Sequence, residues 1–262
     1  MKEFFGFGGY ERTPEGFLSF GHLFFVSTLM VIMIGLAVFF GLRNKHKELS
    51  EKNKVLIWAA ILIDAVEIFK LVIFCLRSHS IVTLKNNLPL FLCSIQLIAI
   101  PLAAFSKGRI KEATLDFVFI FGLLGALAGT YGAGQNYGTY PVLSIDNVAS
   151  GITHSIAGFA SLYIVISGLA SMKKENIFIT FSILIGFCVL ALLANWLVDY
   201  NYMFLRRGDG TPYDIFYNLV NGNKIIYPMI VIGLFLIYIT VFYVIYLSIQ
   251  KRKAKKESNN EA

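Results

Sequence analysis

The sequence predicts an all-α membrane protein, a polytopic bundle of seven transmembrane helices with its N-terminus outside and its C-terminus in the cytoplasm. Three observations predict this fold. The mean hydropathy of the 262 residues is +0.68. Only 15% of the residues are charged, which is too few to cover a surface in water, where about a quarter is usual. Seven apolar stretches are each long enough to cross a hydrocarbon core of roughly 30 Å.

The predicted spans follow one another with mostly short connections. They are residues 17–42, 54–76, 87–106, 113–131, 147–171, 177–197 and 224–249. Residues 1–250 therefore form one predicted transmembrane domain, and residues 251–262 form a basic, disordered cytoplasmic tail. We expect no cleavable signal peptide, because the first apolar stretch is long enough to span.

The placement of the 23 Lys and Arg residues sets the predicted orientation. Most of them lie in the loops at 43–54, 107–112 and 173–174 and in the C-terminal tail, on one side of the seven-span arrangement. Basic loops face the cytoplasm, so this side is predicted to be cytoplasmic. The predicted location of the protein is the cell membrane. The net charge of +7 then reflects orientation and attraction to anionic lipid, and nucleic-acid binding is not expected.

Ionisable residues inside spans are the first candidates for function, because inserting each costs about 2.5–3.5 kcal/mol. The second span carries Asp64, Glu67 and Lys70 near one helical face, where Glu67 and Lys70 can pair. An ion pair that orients helices fits this pattern, as does the polar wall of a substrate cavity or a proton relay. We expect no charged group in the inner half of the bundle.

Cys93 and His154 lie near the starts of the third and fifth spans. Both spans are predicted to run inward from outside, so both residues lie about 9–11 Å below the outer interface. A thiol beside an imidazole is a nucleophile with its base, which suits acyl transfer through a thioester. Cys93 and His154 are therefore the candidate catalytic pair, although a buried Cys more often serves as a small apolar filler.

Other polar groups are predicted to surround this pair in the outer half of the bilayer. The candidate substrate-binding residues are His22, Glu67, Lys70, Gln96, Asn195, Asn201, Tyr202, Arg206 and Arg207. Gln96 or Asn195 could stabilise an oxyanion. Arg206 and Arg207 could hold a phosphate headgroup or anchor the helix end at the interface. In the fourth span, Gly125 and Gly129 form a small-xxx-small pair that predicts close helix packing.

At these positions the sequence resembles the YwaF-type bacterial membrane proteins, which are related to the vertebrate transmembrane protein 164 acyltransferases. The matching features are the segment 88–93 (LPLFLC), His154, the segment 195–207 (NWLVDYNYMFLRR) and His22 in an aromatic-rich opening. The resemblance covers nearly the whole chain. Phe91 departs from it, because the family often has a polar residue or histidine there.

The resemblance implies an enzyme that moves a fatty acyl chain between phospholipids. It implies that Cys93 is the acyl-accepting nucleophile and that His154 is its base. The leading hypothesis is a phospholipid acyltransferase or lipid hydrolase whose partners are membrane phospholipids. It needs no metal and no other cofactor, because the acyl donor is itself a lipid.

Two other functions remain open from the sequence. One is a small-solute or ion-coupled transporter that uses Asp64, Glu67 and Lys70 as a relay. The other is a non-enzymatic lipid-binding protein, which predicts bound phospholipid without turnover. The sequence does not set the oligomeric state.

Overall fold

The computed structural model describes residues 2–170 and 172–260, and in these ranges the chain is helical without β-strands. The α-helices are α1 (Lys2–Phe5), α2 (Phe20–Asn44), α3 (Leu49–Ser78), α4 (Gln96–Phe105), α5 (Gly108–Tyr131), α6 (Gly134–Thr139), α7 (Ile145–Ile166), α8 (Ile177–Val198), α9 (Tyr213–Leu219) and α10 (Ile226–Asn260). Short 3-10 helices occupy Ile81–Asn86, Lys174–Asn176 and Tyr202–Phe204.

Within the described ranges, five helical segments are long and apolar enough to cross a membrane. They are Phe20–Asn44, Gly108–Thr139, Ile145–Ile166, Lys174–Val198 and Ile226–Lys253. The chain therefore has the helices of a multi-pass membrane protein. The count of seven spans and the orientation of the termini stay predictions.

The second and third predicted spans do not belong to that group, for different reasons. Helix α3 has 30 residues, long enough to cross, but charged side chains interrupt its apolar character. Helix α4 has only 10 residues, which gives a length of about 15 Å. Of the predicted span 87–106, the part before Gln96 is non-helical.

A local turn replaces the helix in front of α4. The amide of Phe91 donates to Oγ of Ser94 at 3.0 Å, and that hydroxyl donates back to the carbonyl of Phe91 at 3.2 Å. Such hydrogen bonds between a serine side chain and the nearby backbone compete with the backbone hydrogen bonds of an α-helix. Non-helical backbone at membrane depth is tolerated where protein surrounds it, and Leu90 and Ile95 on either side are buried. Cys93 therefore lies in a turn, and not within a regular helix.

Helices α5 and α7 form the centre of the bundle and pack closely because small residues line their contact. A Cβ on Gly122 would lie 2.7 Å from the carbonyl oxygen of Ala157. A Cβ on Gly158 would lie 2.7 Å from Cβ of Ala126. Such contacts let the two backbones approach as small-xxx-small helices do.

The half of the bundle that the sequence predicts to be the inner one holds an ionisable residue, contrary to the expectation that it has none. Asp116 of α5 is 2% exposed. Its carboxylate accepts hydrogen bonds from Nδ2 of Asn176 at 3.0 Å and from the hydroxyl of Tyr243 at 2.7 Å. This network ties α10 to α5 and supplies the partners that a buried carboxyl group requires.

At the other end of the bundle, an ion pair that the sequence did not suggest joins α3 to α7, and Tyr10 ties the N-terminal segment to it. Arg77 at the end of α3 donates two hydrogen bonds to the carboxylate of Asp146 on α7, at 2.8 and 2.9 Å. The hydroxyl of Tyr10 donates to the same carboxylate. The hydrogen bond with Asp146 raises the pKa of Arg77 above its usual range.

Helix α10 runs past the last predicted span. The predicted tail, 251–262, is helical as far as Asn260. Residues 261 and 262 lie outside the described residues.

Candidate active site

Cys93 and His154 line one small cavity of about 60 Å³ between α3, the turn before α4, and α7. The other residues around it are Ile63, Glu67, Lys70, Ser94, Leu97, Ser150 and Thr153. The structure thus brings together the two residues that the sequence placed at equal depth on different spans.

The hydrogen bonds of His154 define which of its nitrogens carries a proton. Its Nδ1 lies 2.7 Å from the carbonyl oxygen of Ser150, one turn earlier on α7. A carbonyl oxygen only accepts, so in the neutral ring Nδ1 bears the hydrogen and Nε2 has a lone pair. Among the described residues, the buried Nε2 has no hydrogen-bond partner, and it shares the cavity with the Cys93 thiol. The ring is therefore prepared to accept a proton from that thiol.

Two glycines of α5 make room for the pair. A Cβ on Gly125 would lie 3.5 Å from both Cα and Cβ of Cys93. A Cβ on Gly129, one turn later, would overlap the ring of His154 at Cδ2 and Nε2. The sequence identified these glycines as a helix-packing pair, and their spacing did place them on one face. The structure shows that this face of α5 packs directly against Cys93 and His154.

A charged pair forms one side of the cavity. Nζ of Lys70 lies 2.7 Å from Oε1 of Glu67, and the two side chains are only 14% and 13% exposed. The ammonium group places a positive charge near the Cys93–His154 pair, where it can stabilise developing negative charge. Asp64, one turn before Glu67 on α3, does not line the cavity.

Asn195 at the end of α8 clamps the segment that follows it. Its Nδ2 donates to the carbonyl of Tyr202 at 3.0 Å, and its Oδ1 accepts from the Tyr202 amide at 2.5 Å. The hydroxyl of Tyr202 donates in turn to the carbonyl of Lys85 at 2.6 Å and accepts from the amide of Leu88 at 3.1 Å. These bonds hold the backbone that leads into the turn of Cys93, so Asn195 and Tyr202 are positioned as supports outside the cavity.

Phe91, two residues before the thiol, packs into an aromatic cluster. Its ring centroid lies 5.2 Å from that of Tyr202 and 6.1 Å from those of Tyr200 and Phe204. Aromatic contacts of this kind contribute about 0.5–1.5 kcal/mol each beyond burial. Phe91 thus fixes the turn to the segment 195–207 and is not among the residues that line the cavity.

The remaining polar residues of that segment bond to one another. Nδ2 of Asn201 donates to the carbonyl of Arg207 and to the carboxylate of Asp209, both at 2.8 Å. Arg206 pairs with Asp199 at 2.6 Å, and Arg207 pairs with Asp209 at 2.5 Å. The hydrogen bond from Arg206 holds the pKa of the Asp199 carboxyl below its usual range. Neither arginine lines the cavity.

His22 and Gln96 also lie outside the cavity lining. His22 is fully buried, and its Nδ1 accepts from the Leu18 amide while its Nε2 donates to the carbonyl of Thr130, both at 3.1 Å. It therefore fastens the start of α2 to α5. Gln96 is 1% exposed, and within the described ranges neither its Oε1 nor its Nε2 has a hydrogen-bond partner.

Comparison with known proteins gives one match. No curated protein and no solved structure matches the chain. A family model described as the TMEM164 family matches residues 17–250, which include the cavity and all the helices from α2 up to most of α10. On this match the chain belongs to the TMEM164 family.

Proposed function

We propose that the protein is a phospholipid acyltransferase or lipid hydrolase that uses Cys93 as nucleophile and His154 as general base, in the outer half of the cell membrane. The observation that carries this proposal is the state of the imidazole. Its Nδ1 is held by the Ser150 carbonyl at 2.7 Å, and its free Nε2 shares an enclosed cavity with the thiol. The resemblance to lipid acyltransferases points to the same two residues.

In the first half-reaction, Nε2 of His154 takes the proton from Sγ of Cys93. The thiolate attacks the carbonyl carbon of a phospholipid acyl ester and forms a tetrahedral oxyanion, which the ammonium group of Lys70 can stabilise. The ester C–O bond then breaks. The leaving alkoxide takes the proton from His154 and departs as a lysophospholipid, so the acyl chain remains on sulfur as a thioester.

In the second half-reaction, His154 removes a proton from the hydroxyl of a lysophospholipid acceptor or from water. The resulting oxygen nucleophile attacks the thioester, and the C–S bond breaks. The proton returns from His154 to the Cys93 thiolate. A lysophospholipid acceptor gives net acyl transfer, and water gives hydrolysis, so the two forms of the proposal differ only in the acceptor.

The sizes of the cavities suggest where a lipid substrate would lie. The 60 Å³ of the reactive cavity is about the share of two water molecules, enough for an ester group and too little for an acyl chain. A largely apolar groove of about 460 Å³ runs between α2, α3 and α7, the last two of which also wall the cavity. It is lined by Leu29, Ile32, Met33, Leu36, Phe40, Val55, Trp58, Ala59, Leu62, Ile152, Ser155, Ile156 and Phe159. An acyl chain in this groove could present its ester to Cys93 after side chains at the cavity rim move.

The test is the intact mass of purified protein after incubation with defined phospholipids. We expect a fatty-acyl adduct on the wild type that peptide mapping assigns to Cys93. It should be absent from Cys93→Ala and strongly reduced in His154→Gln. Cys75→Ala is the matched control, since it removes another thiol and should keep the adduct. Absence of an adduct and of any transferred chain with every donor would refute acyl transfer and favour transport or lipid binding.

A further inference from the structure

A second cavity lies at the opposite end of the bundle from Cys93. Its volume is about 350 Å³, and it is bounded by the beginnings of α3 and α5 and by the segment after α7. The lining residues are Leu49, Gly108, Lys111, Glu112, Leu115, Gly168, Leu169, Ala170 and Lys173. Its lining residues on α5, from Gly108 to Leu115, lie about 15–30 Å along the helix from Gly125 and Gly129 beside the reactive cavity, so the two sites are separate.

A buried lysine points at this cavity. Lys52 is 7% exposed, and its Nζ lies 3.8 Å from the position that a Cβ on Gly168 would take. Leu49, one turn earlier on the same face of α3, lines the cavity, as does Gly168. In residues 2–170 and 172–260, no carboxylate forms an ion pair with the Lys52 ammonium group. The side chain is thus mostly buried while its unpaired ammonium group reaches the cavity, and such a charge favours an anion there.

The start of α5 adds donors on the same side. Its N-cap residue, Lys107, makes no side-chain capping bond, so amide groups of the first turn, beginning at Gly108, are free to bind an anion. Lys111 contributes charge, while its Nζ already donates to Oδ1 of Asn53 at 2.7 Å and to the carbonyl of Ala103 at 2.9 Å.

One ion pair lies at the rim of the cavity. The positive charges of Lys52 and Lys111 remain when that neutral pair is left out. Nζ of Lys173 lies 2.9 Å from Oε1 of Glu112. Glu112 is the one carboxylate among the lining residues, which also include Lys111 and Lys173, and the ammonium group of Lys52 lies beside Gly168 in the same lining. A monoanionic or dianionic ligand would therefore meet a site of opposite charge.

We propose that this cavity binds the phosphate group of an anionic phospholipid headgroup from the adjoining leaflet. Basic pockets between transmembrane helices on the cytoplasmic side are typical sites for such headgroups, and this end of the bundle is the predicted cytoplasmic one. Leu49, Leu115 and Leu169 in the lining offer apolar contact to the glycerol and upper acyl region, which a free phosphate ion would not use. The site does not depend on the chemistry proposed for Cys93.

The experiment is native mass spectrometry of the purified full chain, titrated with phosphatidylglycerol and, separately, with phosphatidylcholine. We expect the wild type to bind phosphatidylglycerol at least tenfold more tightly. Lys52→Met, which keeps the aliphatic length, should lose that preference. Lys173→Gln at the exposed rim should weaken binding about threefold and carries the test if Lys52→Met does not fold. Lys174→Gln, the next residue and not part of the lining, should bind like the wild type.

Three results would overturn the proposal. The first is equal affinity for the two lipids in the wild type, and the second is unchanged preference in both Lys52→Met and Lys173→Gln. The third comes from a parallel arm with inorganic phosphate, read as a shift in melting temperature. If phosphate stabilises the wild type and not Lys52→Met, while phosphatidylglycerol shows no preference, the ligand is a free phosphate and not a lipid.

Discussion

Replacing Gly129 with alanine should disable the candidate active site without touching either of its reactive residues. The added Cβ would overlap Cδ2 and Nε2 of His154. That Cβ would lie 2.0 Å from both atoms, and real Cβ atoms essentially never approach within 3.0 Å, so the ring or α5 must move by about 1 Å. Both lie in the tightly packed contact between α5 and α7, which leaves little room for relaxation.

The magnitude follows from two general relations. Forcing an extra methyl group into a packed core costs about 1–3 kcal/mol of stability. Displacing a catalytic group by about 1 Å costs on the order of 100-fold in rate. Alkylation of Cys93 should therefore slow by at least about tenfold in Gly129→Ala, because the thiol loses the base that takes its proton.

The assay is site-resolved alkylation by a membrane-permeant maleimide, followed by peptide mass spectrometry in the folded protein. Cys188, which is fully buried, serves as an internal reference for unfolding. Gly186→Ala is the matched control, because a Cβ at that helical position meets nothing within 4 Å. It should leave the Cys93 rate unchanged.

A second variant separates loss of the base from simple obstruction. His154→Gln should slow Cys93 alkylation to a similar degree, and the double variant with Gly129→Ala should be no slower than either single one, since both act through the imidazole. Wild-type alkylation of Cys93 in a folded Gly129→Ala protein would refute the assignment of His154 as its base.

Three further predictions concern the framework around the site. Asn195→Ala removes both clamp bonds to Tyr202 and should lower stability by about 2–3 kcal/mol, because buried polar groups are left unpaired; an unchanged melting temperature would contradict this. Tyr202→Phe removes the hydroxyl that holds the turn before α4, so Cys93 alkylation should change more than the melting temperature does. Arg77→Met leaves the Asp146 carboxylate with the Tyr10 hydroxyl but without a cation and should cost about 3 kcal/mol. Adding Asp146→Asn should recover part of the loss, and a double variant no more stable than the single one would exclude the pairing as the cause.

The residues of the candidate site were predictable to different degrees. Equal depth placed Cys93 and His154 in one layer of the membrane, because depth along a helix follows directly from the rise per residue. The pairing of Glu67 with Lys70 followed from their spacing of three residues. The roles of Asn195 and its neighbours did not follow, since an amide that could bind substrate from its position instead bonds to backbone in the same segment.

Other features could have been found in the sequence and were not. Asp116 lies near the start of the predicted span 113–131, next to the predicted cytoplasmic loop 107–112. An ionisable residue in the predicted inner half could therefore have been recognised from the sequence. Its partners, Asn176 and Tyr243, come from distant parts of the chain, and no spacing rule connects them. The same holds for Lys52, whose ammonium group lies beside Gly168, far from it in the sequence.

By itself, the sequence determined that this is a helical membrane protein and where most of its apolar helices lie, because hydropathy and helix length are sums over neighbouring residues. It also limited the reactive groups to a few side chains, because charged and polar residues are rare in such segments. Only the tertiary structure decided that the third apolar stretch begins as a turn, that Gly129 faces His154, and that the imidazole has a free Nε2. These features depend on how each helix is rotated and packed against the others, and that rotation is set by contacts between residues far apart in the chain.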